Sequence, residues 1–482
     1  MRYEKQRSAS GHSIVLARSS IMMTCRKSQF FRDLLKLAVL RDLGGSTRSD
    51  FGSFVFLQVF SKGFRESSRG RDPDNGKSIF KGQEGKTPML KYMRWPVWSF
   101  ALLALLPVGV FAQGFVYTNN DTAANSISAY AFDVNGALSS LTGSPFSTGG
   151  NGSGGGFYAA TRIVVVNNIL YASNSGSNTI SAFSIDPVSG FLTPVNGSPF
   201  STGTFNDPLQ SGISLAATPD GKFLYAGSTG LGGQIATFSI NASGALTVAG
   251  SPIPSGGAMS ALKVTPDGNY LIAPIPATRG IAVFAIHGPG NLHEIHNSPY
   301  VLSADAATSV DINCPGNLLF AGGSAGDIYV FSFSSGRLSA VAGSPFSTGT
   351  TSNKVVALST DDVTLFASNQ SNNTVTAFAV GLGGTLTLPG YSVNASGSST
   401  IDPNPYPGGL AVGKDGLFLF GADLNSTSSG GGGFSVYGLK GSTPISFVSL
   451  TPTGQSSGLQ SLAAYPAKSC TGVPLAAPNH PK

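Results

Sequence analysis

The chain is short of charge. Only 11% of its 482 residues are Asp, Glu, Lys or Arg. Residues 1–94 carry 19 Lys and Arg against 8 Asp and Glu, whereas from Gln113 onward there are 10 against 15. The formal net charge of +6 therefore belongs to the N-terminal segment, and the rest is mildly acidic. A nucleic-acid surface needs a basic face on the folded part, so that class of partner is excluded. Glutamate is almost missing: Glu294 is the one example after residue 112. Histidine is scarce too, with five in the chain, so the usual acid–base groups are few. Cysteine occurs three times, at Cys25, Cys314 and Cys470, with no CxxC and no Cys/His cluster. That excludes a zinc site of the common kinds, and neither a metal nor a cofactor is expected. Cys314 and Cys470 could pair in an oxidising compartment, but two separate thiols are the expectation.

What is abundant is glycine, 63 residues of it, with short apolar runs and a mean hydropathy of +0.13. This composition suits an all-β protein with many turns rather than a disordered chain. One heptapeptide organises it. Gly143-Ser144-Pro145-Phe146-Ser147-Thr148-Gly149 returns at 197–203 and 343–349, with weaker copies at Gly250-Ser251-Pro252-Ile253 and Asn297-Ser298-Pro299-Tyr300. The steps between copies are 54, 53, 47 and 46 residues, a spacing that marks a repeat architecture.

Residues 1–92 lie outside the repeat. They are expected to be a largely disordered extension upstream of a true start at Met93, with one short amphipathic helix over Phe30–Leu43. Residues 93–112 read as a secretory signal: Arg94, an apolar run, then Val110 and Ala112 at −3 and −1 before Gln113. An uncleaved signal anchor with a basic cytoplasmic tail is the alternative. A membrane enters only in that case, and either way the repeat region is extracytoplasmic.

Residues 113–466 form one array, followed by a tail at 467–482. Around Ile213 a unit reads as four strands. These are Ile213–Thr218, Phe223–Ala226, Ile235–Ile240 and Leu246–Ile253, with Pro219-Asp220-Gly221 as the first turn. The second strand recurs seven times, anchored at Tyr117, Tyr171, Tyr225, Ile272, Phe320, Phe366 and Phe420. The first strand is missing before Tyr117, and a lone copy, Leu459–Ala464, stands at the far end. The C-terminal strand can complete the first sheet and close a ring. The expectation is a seven-bladed β-propeller of four-stranded blades. The heptapeptide falls on the outer strand, where proline is tolerated and blunts the edge.

Thr218-Pro219-Asp220-Gly221-Lys222-Phe223-Leu224-Tyr225-Ala226 resembles the repeat of bacterial YVTN-type propellers, as does Leu170-Tyr171-Ala172-Ser173-Asn174 followed by Asn178–Phe183. Gly244-Ala245-Leu246 through Pro252 is similar to the outer strand of seven-bladed propeller lactonases of the 6-phosphogluconolactonase and carboxymuconate-cyclase types. The resemblance covers roughly 350 residues. It implies the propeller fold and hydrolysis of a sugar lactone or related ester ring. Its repeated residues are turns and blade packing, not a site.

Chemistry is expected where the repeat departs from its pattern. One column of the first strands runs Arg162, Ala216, Lys263, Asp311, Ala357, Ala411, Ala463. Three charges on the innermost strands must reach the channel or be paired. Arg162 and Lys263 are expected to hold a small anionic, sugar-like ligand, with Asp311 as their partner or general base. The loops from strand two to three and from strand four to the next blade should share one face. Asp121, Asp207, Arg279, Asp305, Lys354, Asp402 and Asp423 lie in them, and Arg279 and Asp305 are taken as further binding residues. His293-Glu294-Ile295-His296 resembles a metal or acid–base cluster, but aligns with the start of an outer strand and is read as surface. Gly-x-Ser-x-Gly patterns fall in glycine runs with no helix behind them, so no nucleophile elbow is read there. Two functions remain open: an exported lactonase acting in the channel, or a non-catalytic binding scaffold engaging a surface partner.

Overall fold

The computed structural model describes residues 112–470, except 154–158, 204, 206–211, 229, 231, 304, 352, 370–373, 389–391, 395–406, 424–432, 441–442 and 453–460. The N-terminal extension with its Phe30–Leu43 helix, the leader up to residue 111 and the tail beyond 470 lie outside the described residues.

Seven antiparallel sheets follow one another along the chain. Blade one contains Gly114–Asn119 and Ser126–Phe132; its innermost strand is Ser461–Tyr465, paired with Gly114–Asn119 from Phe115↔Tyr465 to Asn119↔Ser461. Blades two to six begin with Ile163–Val166, Ile213–Ala217, Lys263–Val264, Ala307–Ile312 and Asn353–Leu358, and blade seven with Pro407–Val412. Seven apolar clusters fill the gaps between blades. One joins Val116, Tyr130 and Phe132 of blade one to Phe418, Phe420 and Phe434 of blade seven, so the ring is closed by packing as well as by pairing. The second-strand aromatics Tyr117, Tyr171, Tyr225, Phe320 and Phe420 are completely buried. Each contributes about 2–3 kcal/mol through burial.

The repeated motifs have local causes. In the Thr-Pro-Asp-Gly turn, Thr218 Oγ1 donates to Asp220 Oδ1 (2.6 Å), and the Phe223 N–H donates back to Thr218 Oγ1 (3.0 Å). Gly221 takes φ +70°, and a Cβ there would meet Asn167 Nδ2 at 2.3 Å. Asparagine at the end of the second strand clamps the next loop: Asn174 Nδ2 donates to Thr179 Oγ1 and Ser181 Oγ.

The heptapeptide is a break in the outer strand. Leu138–Ser140 and Phe146–Ser147 both pair with Ser126–Phe132, and Ser144-Pro145, joined by a cis peptide, forms the bend between them. At the bend Ser144 Oγ accepts the Ala129 N–H at 2.9 Å, replacing the carbonyl a continuous strand would offer. Ser198, Ser298 and Ser344 do the same for Ala182, Val283 and Val330. The aromatic after the proline reaches the next blade: Phe146 packs edge-on against Phe191 at 5.1 Å. Blade seven lacks the motif, and its outer strand, Thr443–Pro452, is continuous.

One expectation is overturned. Cys314 and Cys470 form a disulfide, with Cα atoms 5.1 Å apart across 156 residues of sequence. The path of the tail is the reason. The closing strand ends at Tyr465, and the following residues cross to the first turns of blades six and five.

Candidate ligand site in the central channel

The first strands define rings of residues around the channel. The ring opposite the second-strand anchors is Val164, Ala216, Lys263, Asp311, Ala357, Ala411 and Ala463. Five of its seven members are alanine or valine, with uncharged methyl or isopropyl side chains, which leaves one charged pair. Lys263 Nζ lies 2.7 Å from Asp311 Oδ1, the lysine side chain 41% exposed and the aspartate 13%. Asp311 Oδ2 also accepts the Leu358 N–H at 2.9 Å, from the neighbouring blade. Burial acts to raise the Asp311 pKa. The ammonium groups of Lys263 and Lys468, with the Lys263 and Leu358 hydrogen bonds, outweigh it and hold the carboxyl below its ordinary value.

Arg162 does not belong to this ring. The first hairpin of blade two turns in two residues, Asn167-Asn168, between paired Val166 and Ile169. The other blades use a wider turn, so equal sequence spacing puts Val164, not Arg162, opposite Tyr171. Arg162 stands two residues nearer the opposite mouth. It is completely buried and forms an ion pair with Asp121, itself 1% exposed. The contact is charge to charge: among the described residues none of the guanidinium nitrogens meets a partner in hydrogen-bond geometry. Asp121 is further occupied by the Ser153 N–H (2.8 Å), the Ser153 hydroxyl and the Ser175 hydroxyl (3.3 Å).

At the level of Arg162 the first strands are packed together. The Ala160 N–H donates to the Ser260 carbonyl at 2.6 Å and the Leu262 N–H to Thr161 Oγ1 at 3.2 Å, linking blade two to blade four past blade three. Ala160 and Ala261 share an apolar cluster with Val355 and Leu410. The expected convergence of Arg162, Lys263 and Asp311 is therefore not observed. The Lys263–Asp311 pair lies close to the first turns, at the mouth opposite the face where the loop charges were placed.

The other candidates are dispersed. Asp305 is 4% exposed and caps its own blade, accepting the Ala306 N–H, the Ser324 hydroxyl and the Ala325 N–H. Arg279 is exposed after the Pro276–Thr278 turn, at φ 55°, with no ion pair among the described residues. Asp207 and Asp402 lie outside the described residues, as do the side chains of Lys354 and Asp423. His293, Glu294 and His296 are exposed on and beside the outer strand Leu292–Glu294. Among the described residues, no three His, Cys, Asp or Glu gather to hold a metal ion. A cleft of about 420 Å³ opens between blades two and three, lined by Asn167, Tyr171, Asp220 and Gly244, and contains none of the candidate residues.

Two participants were not anticipated. Lys468 Nζ, from the tail, lies 2.6 Å from Asp362 Oδ1 and donates to the Ser359 carbonyl at 2.8 Å. Asp362 Oδ2 accepts the Cys314 N–H at 2.6 Å. Asp362 occupies a left-handed position, φ 60°, where the Thr-Pro-Asp-Gly turn has glycine. An aspartate in the glycine place of a repeat was the available signal.

Fold and site together describe a seven-bladed propeller with, among the described residues, one accessible charged pair on its inner strands. No family model matches the chain, and no curated protein matches it in sequence. Solved structures do. The periplasmic gluconolactonase of Pseudomonas aeruginosa is similar with a TM-score of 0.55 at 16% identity, over 73% of this chain and 98% of that one. A 6-phosphogluconolactonase candidate from Bacteroides fragilis is similar with a TM-score of 0.58 at 17% identity, over 74% and 99%. A second such candidate, from Bacteroides uniformis, gives 0.53 at 16%, over 73% and 98%. At this identity the likeness shows the fold alone, a β-propeller.

Proposed function

We propose that the chain is an exported lactonase-like propeller that binds a small anionic or lactone-type sugar derivative at the Lys263–Asp311 mouth of its channel. One observation carries the reading: among the described residues this is the charged pair on the inner strands that solvent reaches, in a ring otherwise lined by alanine and valine. The Lys263 ammonium faces the ring carbonyl and stabilises the oxyanion. Asp311 takes the proton of a water as it adds to that carbonyl. The ring C–O bond then breaks, and the proton passes to the departing alkoxide. The product is a hydroxy acid whose carboxylate Lys263 can hold.

Export rests on the signal-like segment at 93–112, with Met93 as the start, and on the Cys314–Cys470 disulfide, since disulfides persist in oxidising compartments. The periplasmic location named for one structural neighbour agrees with it.

A second reading, a non-catalytic binding scaffold, is favoured by one observation. Asp311 is held ionised by Lys263 and a backbone donor, which makes it a weak base. Steady-state hydrolysis of glucono-δ-lactone and its 6-phosphate by the full chain, with equilibrium binding of gluconate alongside, separates the two. Turnover abolished by Lys263→Ala supports the lactonase; gluconate binding without turnover supports the scaffold.

A further inference from the structure

The residues after the closing strand do not trail away. Tyr465 donates to Asn168 Oδ1 at the turn of blade two. Three residues on, Lys468 reaches the turn of blade six, and Cys470 is bonded to Cys314 in the turn of blade five. Five residues extend at most about 17 Å, so the segment runs as a chord beside the mouth rather than around the rim. Asp362 ties the arrangement together, holding the Lys468 ammonium with one oxygen and the Cys314 N–H with the other.

We propose that Pro466–Cys470 is a strap that makes Lys468 part of the ligand mouth, and that the Cys314–Cys470 disulfide decides whether Lys468 is there. This rests on the channel reading above and names a further binding residue for it. The charge count gives the reason. With the strap in place, Lys263, Asp311, Asp362 and Lys468 sum to zero. Without Lys468 the same mouth carries one net negative charge, Asp362 loses its counter-ion, and an incoming anion is repelled. Opening needs an external dithiol: it delivers two electrons and two protons, leaves two protein thiols, and departs as its own disulfide. In an oxidising compartment the strap is closed and the mouth accepts anions.

The test uses the full chain, oxidised or reduced with an excess of a small dithiol, and measures binding of gluconate and of uncharged glucose by calorimetry. Lys468→Ala, Cys470→Ser and reduction should each weaken gluconate about fivefold and leave glucose unchanged. Lys468→Arg should restore the wild-type value. Trypsin should cleave after Lys468, which is tied down by the Ser359 carbonyl and Asp362, faster on reduction while the blade strands stay intact. Gluconate binding that falls in Lys263→Ala but not in Lys468→Ala overturns the strap and leaves the channel reading standing. Absence of gluconate binding in the oxidised wild type overturns the channel reading and this proposal with it. Cleavage after Lys468 that is no faster on reduction overturns the role of the disulfide.

Discussion

Tyr171 of blade two donates its hydroxyl hydrogen to the Gly244 carbonyl of blade three at 2.9 Å, in the turn before that blade's outer strand. Tyr117 does the same for Gly190 of blade two at 2.7 Å. Tyr225 is the equivalent residue of blade three, and its buried hydroxyl meets no hydrogen-bond partner among the described residues. The blade-four turn runs differently, through Gly288 and Gly290. The tyrosine of the repeat is thus a tie between neighbouring blades that one blade fails to use.

Replacing these tyrosines by phenylalanine should therefore give unequal results. Tyr171→Phe and Tyr117→Phe each lose a buried hydrogen bond and leave a carbonyl unpaired, at a cost of about 1–2 kcal/mol. Tyr225→Phe removes an unsatisfied buried hydroxyl and should be neutral or stabilising. Chemical unfolding of the three variants checks the order.

The serine of the heptapeptide predicts a local effect. Ser144→Ala leaves the Ala129 N–H without its acceptor at the bend, costing about 1 kcal/mol. Native-state hydrogen exchange should show the Ala129 amide losing protection, while Ala182, served by Ser198 in the next blade, does not change.

The disulfide predicts a larger one. Cys314→Ser removes a cross-link closing 156 residues, and a loss of about 2–5 kcal/mol is expected. Unfolding of Cys314→Ser, Cys470→Ser and the double variant checks it: all three should coincide, because each removes the same bond.

Asp311 predicts a pH dependence with a definite sign. Its folded pKa is depressed. The stability it contributes is therefore fully present above the unfolded value of about 3.9 and is lost as pH falls through the lower folded value. Asp311→Asn should be less stable than wild type at pH 6–7, and the gap should close in strong acid. A constant gap across that range would show that the charge is not what matters.

Much of the architecture was legible in the sequence, because propeller repeats write their turns in residues with few substitutes. Thr-Pro-Asp-Gly, the asparagine clamp and the second-strand aromatics each recur for a stated backbone reason. The count of second strands, with a stray first strand at Leu459–Ala464, was enough to place the closure. The site was less legible. Arg162 and Val164 could not be told apart by spacing, because a hairpin shortened by two residues shifts the register without changing the distance from Arg162 to Tyr171. Arg162 finds its partner in a loop of another blade, which no local pattern encodes. Cys470 and Lys468 take their roles from the course of five residues across a face, and composition says nothing of that course.

The Lys263–Asp311 mouth is tested most directly by hydrolysis of glucono-δ-lactone by the full oxidised chain. Wild type should turn the lactone over, Asp311→Asn should reduce kcat by about 10²-fold or more, and Lys263→Ala should lower kcat/KM to a similar extent. All three should bury Tyr117 and Tyr171 as before and unfold cooperatively. Turnover by Lys263→Ala and Asp311→Asn equal to wild type would contradict the placement of the site.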